Sequence, residues 1–248
     1  MRALLLVILL VTSTSHAAPR VASLNICYDA WLAQLLPTDW QVVPTSVHGN
    51  RLEALMTLQP DLIVAGSFTD QRLLQALRPV APLHVLQQPN TYEQWQHEVT
   101  RLGEFLQQPQ MAQHWLQQQQ QQLQQLTASI TDVLIIMPNN YTWAQDSWAS
   151  ALLRHFSIAL VSPIESGYVG QLRLEALFRL APQRVVFEGF SQHFSRGQDW
   201  LHHSALRHWL QGKTVTTISA DIASCPAVNA VAYVQQLLGD EHGGGDER

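Results

Sequence analysis

The side chains able to do chemistry in this chain are eleven histidines, nineteen carboxylates and two cysteines. Their spacing withholds most of that chemistry. No His-Glu-x-x-His helix or paired Cys/His spacing occurs, and the adjacent His202 and His203 fall on different helix faces, so no metal centre is expected. Surface or capping roles are the expectation for most of the histidines. His48 and His193 with Asp221 could contribute to a Zn²⁺ or Mn²⁺ site, which stands as an alternative. Asp29 and Asp146 are lone carboxylates with no visible acid–base partner. A Gly-x-Ser-x-Gly elbow, a phosphate loop and a Rossmann glycine pattern are all missing. No catalysis and no cofactor are expected, which leaves recognition as the chemistry to explain.

The elements that would position a binding surface follow a strand–helix rhythm. Short β-branched or apolar runs at 20–24, 41–43, 61–65, 83–86, 132–137, 158–161, 184–187 and 214–218 alternate with helical patterns, among them 29–36, 51–58 and 172–180. This rhythm predicts parallel α/β layers. Within it, RLEALMTLQPDLIVAGSF at 51–68 returns as RLEALFRLAPQRVVFEGF at 173–190, identical without a gap at nine of eighteen positions. A constant offset of 122 residues in a chain of 248 predicts two similar lobes with a crevice between them. The repeat puts Glu53 and Glu175 at matching points, each seven residues before its helix-ending proline.

Between the lobes, 91–130 is helical in pattern and divided by Pro109, a residue suited to a helix's first turn. The glutamine run that follows, with Trp115, Leu116, Leu123 and Leu126 as its apolar stripe, predicts a helix connecting the lobes. The first 17 residues pair a basic Arg2 with a short apolar run and a small-x-small site ending at Ala17, the pattern of a cleaved secretory signal. The expected organisation is therefore signal 1–17, N-terminal lobe 18–90, connector 91–130, C-terminal lobe 131–239 and a disordered tail 240–248. A net charge of −5 with a single lysine, Lys213, argues against nucleic-acid or anionic-membrane partners. In an exported, oxidising compartment Cys27 and Cys225 are expected to form a disulfide.

RVASLNICYDAWLAQLL at the start of the mature chain, LEALMTLQPDLIVAG, the long connecting helix and YVGQLRLEALFRLAPQRVVF, in that order, resemble the periplasmic binding proteins of cobalamin and ferric-siderophore ABC importers. The resemblance implies two pseudo-symmetric α/β lobes joined by a long helix, a ligand held in the cleft, limited hinge motion and a periplasmic location. It also implies that Glu53 and Glu175 meet arginines on the two transmembrane subunits, and a monomer fits that role. Open α/β sheets bind ligands at their strands' carboxyl ends. The loops there carry Tyr28, Phe68, Tyr141, Trp143, Tyr168 and Phe190, with His48, Asn50 and His193 as polar neighbours. Phe68 and Phe190, as repeat-matched strand ends, are the rings expected to pack into the lobe cores. Four half-buried rings supply on the order of 10 kcal/mol gross at ~25 cal/mol/Å². Only Arg196 falls near a cleft loop. A weakly charged corrinoid is therefore favoured over a ferric siderophore or haem, whose anionic groups call for arginine.

Overall fold

The computed structural model describes residues 18–190 and 201–239. The expected signal segment, His193, Arg196 and the expected tail lie outside the described residues. The first half of the chain runs β1 (Arg20–Ser23), α1 (Ile26–Leu35), β2 (Gln41–Val43), α2 (Thr45–His48), α3 (Leu52–Leu58), β3 (Leu62–Gly66), α4 (Gln71–Leu77) and β4 (Leu83–Leu86). Two longer helices follow, α5 (Tyr92–Phe105) and α6 (Pro109–Gln125). The second half runs β5 (Asp132–Ile136), β6 (Tyr141–Trp143), α7 (Trp148–His155), β7 (Ala159–Leu160), β8 (Val169–Gln171), α8 (Leu174–Leu177), β9 (Arg184–Glu188), α9 (Ser204–Leu210), β10 (Thr214–Ile218), α10 (Ala220–Ala223) and α11 (Ala230–Leu238).

Each half builds one parallel four-stranded sheet, in the orders β2-β1-β3-β4 and β7-β5-β9-β10. The two topologies are the same, and β3 and β9, which the sequence repeat aligns, occupy the same place in each. Near-continuous burial of β3 and β5 is what a sheet covered on both faces requires. The residue after each helix-ending proline performs the same task twice. Asp61 accepts the Arg20 backbone N–H at 2.6 Å and Gln183 Oε1 accepts that of Thr131 at 2.7 Å. Each side chain thereby clamps the start of its central strand.

All eight expected strands fall within one residue of their expected ends, the 158–161 strand being shorter by one at each end, Ala159–Leu160. The sequence reading missed β6 and β8, an antiparallel ribbon inserted in the second lobe. It also made α8 too long: the helix expected over 172–180 covers Leu174–Leu177.

The connector, divided at Pro109 as expected, is two helices packed on each other. Pro109 opens α6 at its first turn. A Cβ at Gly103 would come within 2.4 Å of Ala112 Cβ, so the α5–α6 approach needs glycine there. The 17 residues of α6 span about 25 Å. Along that length it packs against α1 of the first lobe and α11 of the second. The central apolar core is accordingly shared, joining Trp31 and Leu35 to Trp95, Trp115, Trp148 and Tyr233. Two smaller cores lie on the outer faces of the sheets.

Candidate functional site

At the carboxyl ends of the two sheets lies a cavity of about 320 Å³, lined from both lobes. Tyr28 and Phe68 come from the first lobe, Trp143 and Tyr168 from the second, and the Cys27–Cys225 disulfide with the 223–228 segment completes the wall. Among the described residues the lining carries no charged side chain.

Local structure explains how each ring gets there. Asn25 caps α1 by accepting the Cys27 N–H at 2.9 Å, and this fixes the first turn that carries Tyr28. Gly66, at the end of β3, lets the Tyr28 hydroxyl lie close, because a Cβ there would sit 3.1 Å from the phenol oxygen. Burial and the nearby Glu98 push the Tyr28 phenol up to about 12. Phe68 follows β3 and meets Tyr168 across the mouth, edge to face, with centroids 6.0 Å apart. The 225–228 segment is held from the shared core. Trp95 Nε1–H donates to the Ala227 carbonyl at 2.9 Å and Trp148 Nε1–H to that of Pro226 at 3.1 Å. The disulfide joins the start of α1 to this segment across 198 residues of chain, so it bridges the lobes where the ligand would sit.

Trp143 is held differently. Its Nε1–H points at the Glu188 carboxylate, 3.0 and 2.8 Å from the two oxygens, and Tyr233 Oη–H donates to Oε2 at 2.5 Å. Glu188 is 2% exposed, and burial raises its pKa to about 7 against the two hydrogen bonds that favour the anion.

Four of the nine anticipated ligand residues thus meet in one cavity. Tyr141 is exposed on β6 and does not line it. Phe68, expected in a core, is 76% exposed, because β3 ends at Gly66 and the chain leaves the sheet before reaching it. Phe190 instead packs on Phe187 at 5.5 Å, against the outer core of the second lobe. His48 and Asn50 are tied to the strand end. His48 Nε2–H donates to the Ser23 carbonyl at 3.0 Å, its Nδ1 accepts the Asn50 N–H at 3.1 Å, and the Asn50 amide donates to the Leu24 carbonyl at 3.1 Å. With both ring nitrogens engaged, His48 has no lone pair left for zinc or manganese. No group of three His, Cys, Asp or Glu among the described residues could hold a metal ion. The sequence reading overlooked Gln88, Val169 and Glu188. Glu188 carried a signal, as the lone carboxylate closing an apolar strand run.

Glu53 and Glu175 are both exposed, on α3 and α8. The ten positions 51–60 and 173–182 have the same succession of buried, intermediate and exposed residues, position for position.

The model of a family described as "periplasmic binding protein" matches residues 16–204, more than half of the chain. The chain belongs to the periplasmic binding protein family. Members bind and deliver substrate and do not turn it over, and the family implies a periplasmic or extracellular location and delivery to an ABC importer. Solved structures agree on the fold. A periplasmic vitamin B12 binding protein, BtuF of Vibrio cholerae, is 20% identical, with 90% of this chain and 96% of that one covered and a TM-score of 0.61. The siderophore-binding protein FhuD of Vibrio cholerae, bound to Fe³⁺–Desferal, is 17% identical over 90% and 98%, with a TM-score of 0.66. The periplasmic heme-binding protein BhuT, in complex with two hemes, is 14% identical over 88% and 96%, also with a TM-score of 0.66. A search of curated protein sequences finds no match. As a periplasmic binding protein, the chain needs no reactive constellation at its cavity, only surfaces that hold a ligand and release it.

Proposed function

We propose that this binding protein captures a large ligand with an uncharged, flat face, a cobalamin-type corrinoid, between its lobes and hands it to the two transmembrane subunits of an ABC importer. The observation that carries the ligand reading is the cavity wall, in which rings from both lobes surround a lining without a charged side chain among the described residues. Such a wall pairs with polarisable faces and leaves carboxylates or catecholates without a partner. A volume near 320 Å³ is at the small end of the ~300–1,000 Å³ typical of ligand pockets, so a corrinoid would enter with part of its body and part Phe68 from Tyr168. Cyanocobalamin titrated into the purified protein should saturate at one equivalent with a change in its visible spectrum. Saturation by haemin alone would overturn the corrinoid reading. Haem or a ferric siderophore stands as the second reading, favoured by the fold shared with heme- and siderophore-binding structures. In that reading Arg196, outside the described residues, is the residue to meet the anionic groups.

Glu53 and Glu175 would be the docking anchors. Their support is the matched burial of the two helix–proline units, which presents the same carboxylate from each lobe. A two-fold permease offers the same contact twice, and a monomer with an internal repeat suits it. Replacing both glutamates with lysine should abolish uptake and leave ligand affinity intact. Loss of affinity in the purified double variant would refute the docking role.

A further inference from the structure

Among the described residues, Trp143 is the one cavity ring whose polar atom is gripped by a buried carboxylate, and nothing in ligand capture as derived so far requires that carboxylate. The matching position in the first lobe is Gly66, where Tyr28 packs without any such partner. The second lobe thus departs from the repeat at the residue that faces the cavity wall.

We propose that Glu188 is a positioning residue of the cavity: its carboxylate holds the Trp143 indole by the ring N–H and so fixes the face that the second lobe presents to the ligand. The inference rests on the ligand cavity proposed above. Three observations carry it. Both Glu188 oxygens lie within 3.0 Å of Trp143 Nε1, so the carboxylate straddles the N–H and restricts rotation of the ring. Tyr233, fully buried on α11, fixes the carboxylate in turn, so the orientation is anchored in the shared core. Trp143 itself is half-buried at the edge of the shared core, on β6, a strand of only three residues.

Among the described residues, the groups that act on Glu188 are Trp143 from β6 and Tyr233 from α11, with burial opposing the charge. Its sheet neighbours across β9 are Ile218 on β10 and the end of β5, which are apolar. Arg184, at the far end of β9, is turned to the carbonyls of Leu237 and Leu238. Among the described residues, therefore, no cation competes with Trp143 for the carboxylate. A hydrogen bond to an anion also enriches the indole ring in electron density, so the face offered favours an electron-poor or cationic ligand surface.

The test follows the indole ¹H–¹⁵N resonance of Trp143, assigned by its loss in Trp143→Phe, from pH 5 to 9. In the wild-type protein it should move with a midpoint near 7. Glu188→Gln should abolish the movement, and Tyr233→Phe, which removes a donor to the anion, should shift the midpoint upward. Cyanocobalamin and haemin are then titrated separately. For whichever binds, Glu188→Gln should weaken affinity about tenfold in the wild-type background and leave it unchanged in the Trp143→Phe background. A resonance that does not titrate, one that still titrates in Glu188→Gln, or additive losses in the double variant would each overturn the proposal. If neither probe binds the wild-type protein, the ligand reading fails, while the resonance still decides whether Glu188 sets Trp143.

Discussion

A buried histidine and a buried carboxyl group pull the stability of this protein in opposite directions as pH changes. Burial lowers the native pKa of His48 below 6.5, and its two hydrogen bonds fit only the neutral ring protonated at Nε2. The unfolded chain takes up the proton first. The contribution of His48 is therefore complete above about pH 6.5 and lost as pH falls toward the lower native value. Glu188 is the opposite case. Its native pKa is raised from 4.5 to about 7, so its contribution is complete below 4.5 and lost as pH rises through 7, on the order of 3 kcal/mol. Glu188→Gln should accordingly raise the Tm at pH 8, by about 2–4 °C per kcal/mol recovered, and change it little at pH 5. His48→Ala should lower stability at pH 8 by about 1–3 kcal/mol, since the Asn50 N–H loses its partner, and should flatten the acid-side loss. Thermal melts of the three proteins at pH 5, 6.5 and 8 check both. A carboxylate that destabilises the fold at working pH while holding a cavity ring is what a site residue looks like.

Among the elements, the α5–α6 pair depends on a single missing side chain. With Ala112 Cβ only 2.4 Å from where a Gly103 Cβ would stand, Gly103→Ala must push the helices apart, at about 1–3 kcal/mol. Ala112→Gly added to Gly103→Ala should recover part of that loss, and urea unfolding of the single and double variants measures it. The same elements show which parts of the fold were legible in the sequence. Gln41–Val43, Leu83–Leu86 and Thr214–Ile218 stand where expected because each is a β-branched or apolar run closed by a turn. Pro109 divided the connector for a reason that needs no tertiary contact. The β6–β8 ribbon was illegible because its strands have three residues each and depend on distant partners. Thr142 Oγ1 donates to the Ile135 carbonyl at 2.6 Å, and Gly170 lies against Ile164 too closely to carry a Cβ. In the site, Tyr28, Trp143 and Tyr168 were legible as rings in strand-end loops. The engagement of His48 and Asn50 by the Ser23 and Leu24 carbonyls, more than twenty residues away, was not.

At the scale of the whole molecule the two lobes are less separate than their repeat suggests. They share one apolar core through α5 and α6, and a disulfide pins the start of α1 to the segment after α10. A ligand of the proposed kind would therefore enter near the mouth, where Phe68 and Tyr168 meet, rather than by swinging the lobes wide. A ligand can close the lobes only by its differential affinity for the closed form, and a covalent tether in the cavity wall removes open states from that competition. Replacing Cys27 and Cys225 together with serine should cost about 5 kcal/mol by the loop-entropy account, given 198 residues between them. It should also widen the range of lobe separations, seen as a larger radius of gyration in solution scattering without ligand. Ligand dissociation should then accelerate, because states that the tether forbids become routes of escape. An unchanged Tm and radius of gyration in the double-serine variant would show that the shared core alone holds the lobes in register.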